Sequence, residues 1–439
     1  MFRKIANTFG TRLLAAVCNF LIAIVISQSV GDVGKGEQSL LLATITFILI
    51  FSDIVSGNSL VYLTPKHAFH KLVFPAALWS SLVGLFAIGF MLLFYGELSP
   101  ILALHTGLLA VLASLRAIPV EVLIGREKVR QANLLNLLQP VLILLTLLVG
   151  YFVMENYSIF SFIVALYVSY GLTWLLGLWM LRDEFRGFRV EPLAAYRQVV
   201  ADLFKYGALN QLGHFVQFFN LRMGYYLLDM YMDKGRVGIF SNAVSLSEAI
   251  WIISNSIALV QYARIANAQN ERYSQKLTLS LAKLCFVVSL LAVLFLSVLP
   301  SSFYQLLFGP EFGELPGVIR ILAPGVLMYS LFLIIGHYYS GIGKYQMNTY
   351  AALCGLFFTV TMGFLLIPRF DIYGAAATST LAYSANAVFI LICFFKSSQF
   401  GWRDMLISRE EGRSYYVEFK DYIRNFFKDN SDTDKSPMP

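Results

Sequence analysis

Six residues inside one apolar run, Gly207, Asn210, His214, Gln217, Asn220 and Gly224, fall within about 140° of one another at 100° per residue. Amides and an imidazole in that pattern give a helix one wet or hydrogen-bonded face. The chemistry this suits is non-covalent binding of a polar cargo. The next run repeats the device with Gly238, Ser241, Ser245, Glu248 and Asn255, and the second run of the chain with Ser39, Thr46, Asp53 and Gly57. Polar groups inside hydrocarbon are costly, so these faces are the candidate site. Asn210, Gln217, Asn242 and Asn255 are candidate hydrogen-bond partners for a cargo. Asp53 and Glu248 suit coupling to an ion or proton, or pairing with an arginine. His214 is a hydrogen-bonding group that could also switch with a proton.

Two arginines, Arg116 and Arg222, also lie within apolar runs. Arg116 needs a partner or water, either a carboxylate such as Asp53 or an anionic cargo. Arg222 sits roughly 120° off the polar stripe of its own helix, in position to snorkel or to bind an anion. Arg12 and Arg264 close the ends of their runs and are further candidates for holding an anion. No phosphate-cradling glycine loop, His-Glu-x-x-His or paired-cysteine metal site occurs, and Cys18, Cys285, Cys354 and Cys393 all fall inside apolar runs. No enzyme, cofactor or metal is expected from this pattern.

What must position these residues follows from composition. The chain has 439 residues, 58 % hydrophobic and 13 % charged. Twelve apolar stretches run roughly 12–30, 39–63, 73–95, 100–124, 134–154, 158–181, 205–228, 237–262, 279–299, 316–340, 347–367 and 373–395. The connections are too short for a folded soluble domain. An all-α polytopic membrane protein with about twelve transmembrane helices is therefore expected. Of the 33 Lys and Arg, Arg116 and Arg222 lie deep within spans; the rest lie in connections or near span ends, five (Lys35, Lys234, Arg236, Arg320, Arg369) on one side, leaving 26 on the other. By the positive-inside rule both termini are cytoplasmic, and the charge of +7 is no nucleic-acid signal.

The halves echo each other. A shift of 202 residues brings Phe2 onto Phe204, Gly36 onto Gly238, Ser39 onto Ser241, Ile48 onto Ile250 and Asp53 onto Asn255. Two six-helix bundles related as parallel repeats are expected around a central cavity. The domains read as an N-terminal bundle (1–181), a cytoplasmic amphipathic linker (182–204), a C-terminal bundle (205–395) and a cytoplasmic tail (396–439). In the tail, Tyr415–Phe427 carries an amphipathic face suited to the inner membrane surface, and the end is polar enough to be disordered. Pro119, Pro140 and Pro324 are expected to kink their helices.

Local motifs carry a resemblance. Val237-Gly-Ile-Phe-Ser-Asn-Ala243, Leu307-Phe-Gly-Pro-Glu-Phe312 and Tyr373-Gly-Ala-Ala-Ala-Thr378, in this order over residues 1–395, resemble the oligosaccharide flippases of the polysaccharide-transporter branch, often called Wzx-type or O-antigen flippases. Their superfamily also includes multidrug-and-toxin exporters and lipid II flippases. The resemblance implies alternating-access transfer of undecaprenyl-diphosphate-linked oligosaccharide from the inner to the outer leaflet of the cytoplasmic membrane. This would serve O-antigen, capsule or exopolysaccharide synthesis, with glycosyltransferases and a polymerase as partners in assembly and membrane lipids as neighbours. It also implies cationic side chains in the cavity for the diphosphate, yet here the lumen is predominantly neutral and polar. Two alternatives are a cation-coupled multidrug exporter, which Asp53 would fit, and a membrane polysaccharide polymerase, which the short outer loops oppose.

Overall fold

A computed structural model describes residues 2–94, 100–187, 192–268 and 270–405. Its thirteen α-helices are α1 (Phe2–Ser56), α2 (Asn58–Leu63), α3 (Phe69–Phe94), α4 (Pro100–Gly125), α5 (Val129–Phe152), α6 (Ile159–Met180), α7 (Leu193–Tyr231), α8 (Lys234–Ala249), α9 (Trp251–Ala266), α10 (Glu271–Val298), α11 (Ser301–Phe308), α12 (Leu315–Gly341) and α13 (Gln346–Ser397). The starts of two have visible local causes. The Asp233 carboxylate accepts from the Arg236 amide to cap α8, and the Asn270 side chain accepts from the Tyr273 amide to cap α10.

Nine helical stretches among the described residues are long and apolar enough to cross a membrane. Two of them carry two passes each, because the backbone leaves the helical region at Gly31 (φ 68°, ψ −166°) within α1 and at Asp371 (φ 54°, ψ −136°) within α13. α7 adds another pass; its polar face keeps it out of the apolar set. Among the described residues the protein is thus an all-α, multi-pass membrane protein of twelve passes, six before the residue 182–192 connection and six after it. The expected prolines do not mark the breaks. Pro119, Pro140 and Pro324 each stay inside one continuous helix. The interruptions fall instead at Gly31, Gly57, Ile250 and Asp371.

The cores follow the two halves. One buried cluster gathers α7 to α13 around Tyr338, Tyr383 and Phe394, and a second gathers the first six passes around Ile26, Tyr151 and Phe162. A third joins Val199 and Leu203 of α7 to Val55, Leu60, Leu72 and Ile118 of the N-terminal bundle. The segment expected to be a separate linker is therefore, from Leu193 on, the first three turns of α7. Tyr415–Phe427 lies outside the described residues.

The ends of the bundle can be named by their landmarks. The near end carries the described ends of the chain and Gly57, and the far end carries Gly31, Asp233 and Asp371. At the far end α1 and α8 cross in close contact. A Cβ on Gly36 would overlap the Lys234 carbonyl, and one on Gly238 would overlap the Asp32 carbonyl. Only glycine permits this backbone approach at both positions. The contact is symmetric under the repeat, since Asp32 and Lys234, like Gly36 and Gly238, are 202 residues apart. Beside it Ser39 Oγ donates to Ser241 Oγ at 2.8 Å, and Asn242 Nδ2 donates to Ser27 Oγ at 2.8 Å.

Candidate functional site

Between the bundles, on the near-end side of this crossing, lies a cavity of about 360 Å³. Its walls come from α1, α2, α4 and α7. α1 and α2 supply Thr46, Asp53 and Asn58, α4 supplies Glu121, and α7 supplies Gln211, His214, Gln217 and Arg222. Phe218 and Leu221 complete an apolar side. The volume lies at the lower end of the range of small-molecule sites, and a few convergent polar groups on an apolar wall are the usual composition of one.

The groups are held from behind. Ser56 Oγ donates to Asp53 Oδ1 at 3.4 Å, and Ser56, Ser114 and Ser80 form a hydroxyl chain at 3.0 and 2.6 Å that ties α1 to α4 and α3. Gln211 Nε2 donates to the Asp53 carbonyl at 3.3 Å, and Gly207 packs against the Ile54 carbonyl, seating α7 against α1. Gln217 donates through Nε2 to the Tyr329 hydroxyl. Behind it Trp251, Tyr329 and Tyr383 pack ring to ring with centroids 4.2 to 5.4 Å apart. Arg222 forms a two-pronged ion pair with Glu248, Nη1 to Oε1 at 2.8 Å and Nη2 to Oε2 at 2.9 Å, the fork geometry that suits guanidinium and carboxylate.

Of the residues expected at a cargo site, the structure brings Asp53, His214, Gln217 and Arg222 to one cavity. Several others have surroundings that the pattern did not foresee. Asn242 is 1 % exposed and sits in the far-end seam, because its helix crosses α1 there. Asn220, expected on the same wet face as His214, is instead buried in the C-terminal bundle. There it donates to the Ala352 carbonyl at 2.8 Å and accepts from Thr359 at 3.1 Å. Arg222, placed off the polar stripe by its angle, lines the cavity and neither snorkels nor stands free. Glu248 is its charge partner, the arginine pairing that was one of the two roles expected of it. Arg116 donates from Nη2 to Asn136 Oδ1 at 2.7 Å and is not paired with Asp53. Arg12, Asn210, Asn255 and Arg264 are exposed and are not among the lining groups of this cavity.

Glu121, Gln211 and Asn58 are lining groups that the sequence pattern did not single out. Glu121 had a readable signal, being a lone carboxylate inside an apolar run five residues after Arg116. Gln211 and Asn58 had none beyond polarity, since one lies beside the expected stripe and the other after a helix break.

No protein-family model matches the chain. The lipid II flippase MurJ, in an inward closed conformation, superposes with a TM-score of 0.73 at 14 % identity over 97 % of this chain and 93 % of that one. An inward-facing multidrug resistance MATE family transporter of the MOP superfamily superposes with a TM-score of 0.68 at 13 % identity, over 87 % and 93 %. The chain shares the fold of these two proteins. In sequence it is 22 % identical over 397 residues to the capsular polysaccharide biosynthesis protein CapF of Staphylococcus aureus, covering 87 % of this chain and 96 % of that one. That shared fold explains the position of the cavity: it lies where two six-pass bundles face each other, below the crossing that joins their far ends.

Proposed function

We propose that this protein is a flippase that carries oligosaccharide linked to undecaprenyl diphosphate from the inner to the outer leaflet of the cytoplasmic membrane, for synthesis of a surface polysaccharide. The observation that carries the proposal is a polar cavity between the bundles, open to hydrogen bonding on its α1, α4 and α7 walls and bounded by a sealed crossing. The obstacle for such a lipid is its sugar headgroup, which hydrocarbon cannot solvate. Asp53, Asn58, Gln211, His214 and Gln217 would replace water around the sugars while the lipid tail stays in the bilayer. The similarity to a capsular polysaccharide biosynthesis protein along nearly its whole length, with the fold of a lipid II flippase, supports this class of cargo.

The excess of Lys and Arg at the near end supports a cytoplasmic near end, with both termini inside and the cavity facing the leaflet where the cargo is made. Arg12 and Arg264, exposed on that side, are available to the diphosphate. Two negative charges moved outward across about 100 mV gain roughly 4–5 kcal/mol, so no chemical step is required of the protein. Glycosyltransferases would act before it and a polymerase after it.

The test is a deletion strain. Lipid-linked sugar should accumulate, shielded from an impermeant probe added outside, and expression of the protein should expose it. Units that accumulate already exposed outside would refute the proposal. One observation favours a second reading: Asp53 and Glu121 face the cavity together, as a cation-coupled drug exporter would require. That reading predicts drug hypersensitivity of the deletion strain with no lipid-linked sugar accumulated.

A further inference from the structure

The charges of the cavity wall narrow the cargo. Asp53 and Glu121 both line it, from helices held together by the Ser56–Ser114–Ser80 hydroxyl chain. One guanidinium, Arg222, reaches the lining among the described residues, and both of its terminal nitrogens are engaged by the Glu248 carboxylate. That pair is neutral as a unit. Arg116, on the same helix as Glu121, donates to Asn136 and is not a lining group, although its charge lies within electrostatic reach of Glu121. His214 adds at most one positive charge against two carboxylates. The remaining lining groups, Thr46, Asn58, Gln211 and Gln217, are neutral.

From this balance we infer, given the flippase reading above, that the sugars entering the cavity are neutral or carry amino groups, and that a repeat unit bearing carboxylates is discriminated against. Ionised carboxylates accept hydrogen bonds from sugar hydroxyls, acetamido N–H groups and ammonium groups. They repel a uronate, and a confined apolar-walled cavity screens that repulsion poorly. Phe218 and Leu221 supply an apolar face for the C–H side of a sugar ring. The diphosphate is excluded from this wall for the same reason, and the exposed Arg12 and Arg264 offer it a place outside the cavity.

The experiment uses the full-length protein in liposomes with three synthetic polyprenyl-diphosphate disaccharides. One ends in N-acetylglucosamine, one in glucosamine and one in glucuronic acid. Transfer between leaflets is read by loss of access to an impermeant sugar oxidant. The neutral and amino probes should cross at least tenfold faster than the uronate probe. In the Asp53→Asn/Glu121→Gln double variant the uronate-to-neutral rate ratio should rise at least tenfold. Equal rates for all three probes in the unsubstituted protein, or a faster uronate, overturn the inference and leave the flippase reading standing. Transfer of none of the probes, with the protein shown to be folded by a cooperative thermal transition, overturns both. Because the probe comparison is made in the unsubstituted protein, a double variant that fails to fold does not remove the test.

Discussion

At the scale of single residues, two charges define what the site can tolerate. Arg222 and Glu248 are partly buried, with side chains 29 % and 18 % exposed, and each is the other's bidentate partner. Removing one leaves a charge stranded beside apolar sequence, so Arg222→Met or Glu248→Leu should each cost about 2 kcal/mol. The double variant should cost less than the sum. A double-mutant cycle on thermal unfolding in detergent checks this, and additive losses would show the pair to be uncoupled. Asp371 is the second case. Its Nε–Oδ2 contact with Arg236 is 2.7 Å, yet burial pushes its carboxyl above the usual range, with Arg236 opposing. A raised folded-state value means that protonation favours the fold. Stability from this group is present at low pH and is lost as pH rises through its folded-state value. Asp371→Asn should therefore be no less stable than the parent at neutral pH, with the difference closing on acidification. Because Asp371 adopts φ 54°, the β-branched Asp371→Val should lose about 1–3 kcal/mol. Residue-level roles were the least legible in the sequence. Helical angle put Arg222 off the polar stripe, although it lines the cavity, and Asn220 on the wet face, because a helix buried on several sides has polar contacts on more than one face. Pair partners such as Asn136 and Tyr329 belong to distant segments that no local spacing announces.

At the scale of elements, most spans were legible to within a few residues, since a lipid environment writes itself as a run of apolar side chains, although α7 and α10 begin well before their apolar runs. Their interruptions were not. Prolines persist inside α4, α5 and α12, while Gly31 and Gly57 interrupt the chain through backbone geometry that composition does not reveal. The crossing of α1 and α8 was half visible, because the 202-residue echo named Gly36 with Gly238 and Ser39 with Ser241 but gave no sign that these residues touch. Alternating access requires this crossing to part. Cysteines at Ser39 and Ser241 should therefore form a disulfide on mild oxidation, and the cross-linked protein should lose transport that a reductant restores. Transport unaffected by a complete cross-link would mean that the far end never opens. Gly36→Leu should push the bundles apart there and make Ser241→Cys reactive to an impermeant thiol reagent added from outside; protection equal to that of the parent would argue against the wedge.

At the scale of the whole molecule, the sequence disclosed two repeats and their shared orientation through hydropathy and loop charge. It could not disclose that the cavity belongs mostly to the N-terminal bundle and α7, because that depends on how the halves dock. If the cargo moves as an anion, an inside-negative potential should speed outward transfer and its dissipation should slow it. A potassium-diffusion potential of about 100 mV in proteoliposomes is the direct measurement. Rates indifferent to the sign of the potential would mean that the cargo crosses neutralised.

α7 is one helix of 39 residues, about 58 Å long, and it is shared. Tyr196 and Phe204 pack on Phe74 and Trp79 of the N-terminal bundle, and the same rod continues into the core of the C-terminal one. In genetic terms the chain is therefore divisible in one place and indivisible a few residues later. Fragments separated within 188–191 should reassemble when co-expressed, each carrying whole helices. Fragments separated at 204/205 sever the rod, strand its first turns on the wrong polypeptide, and should fail to complement.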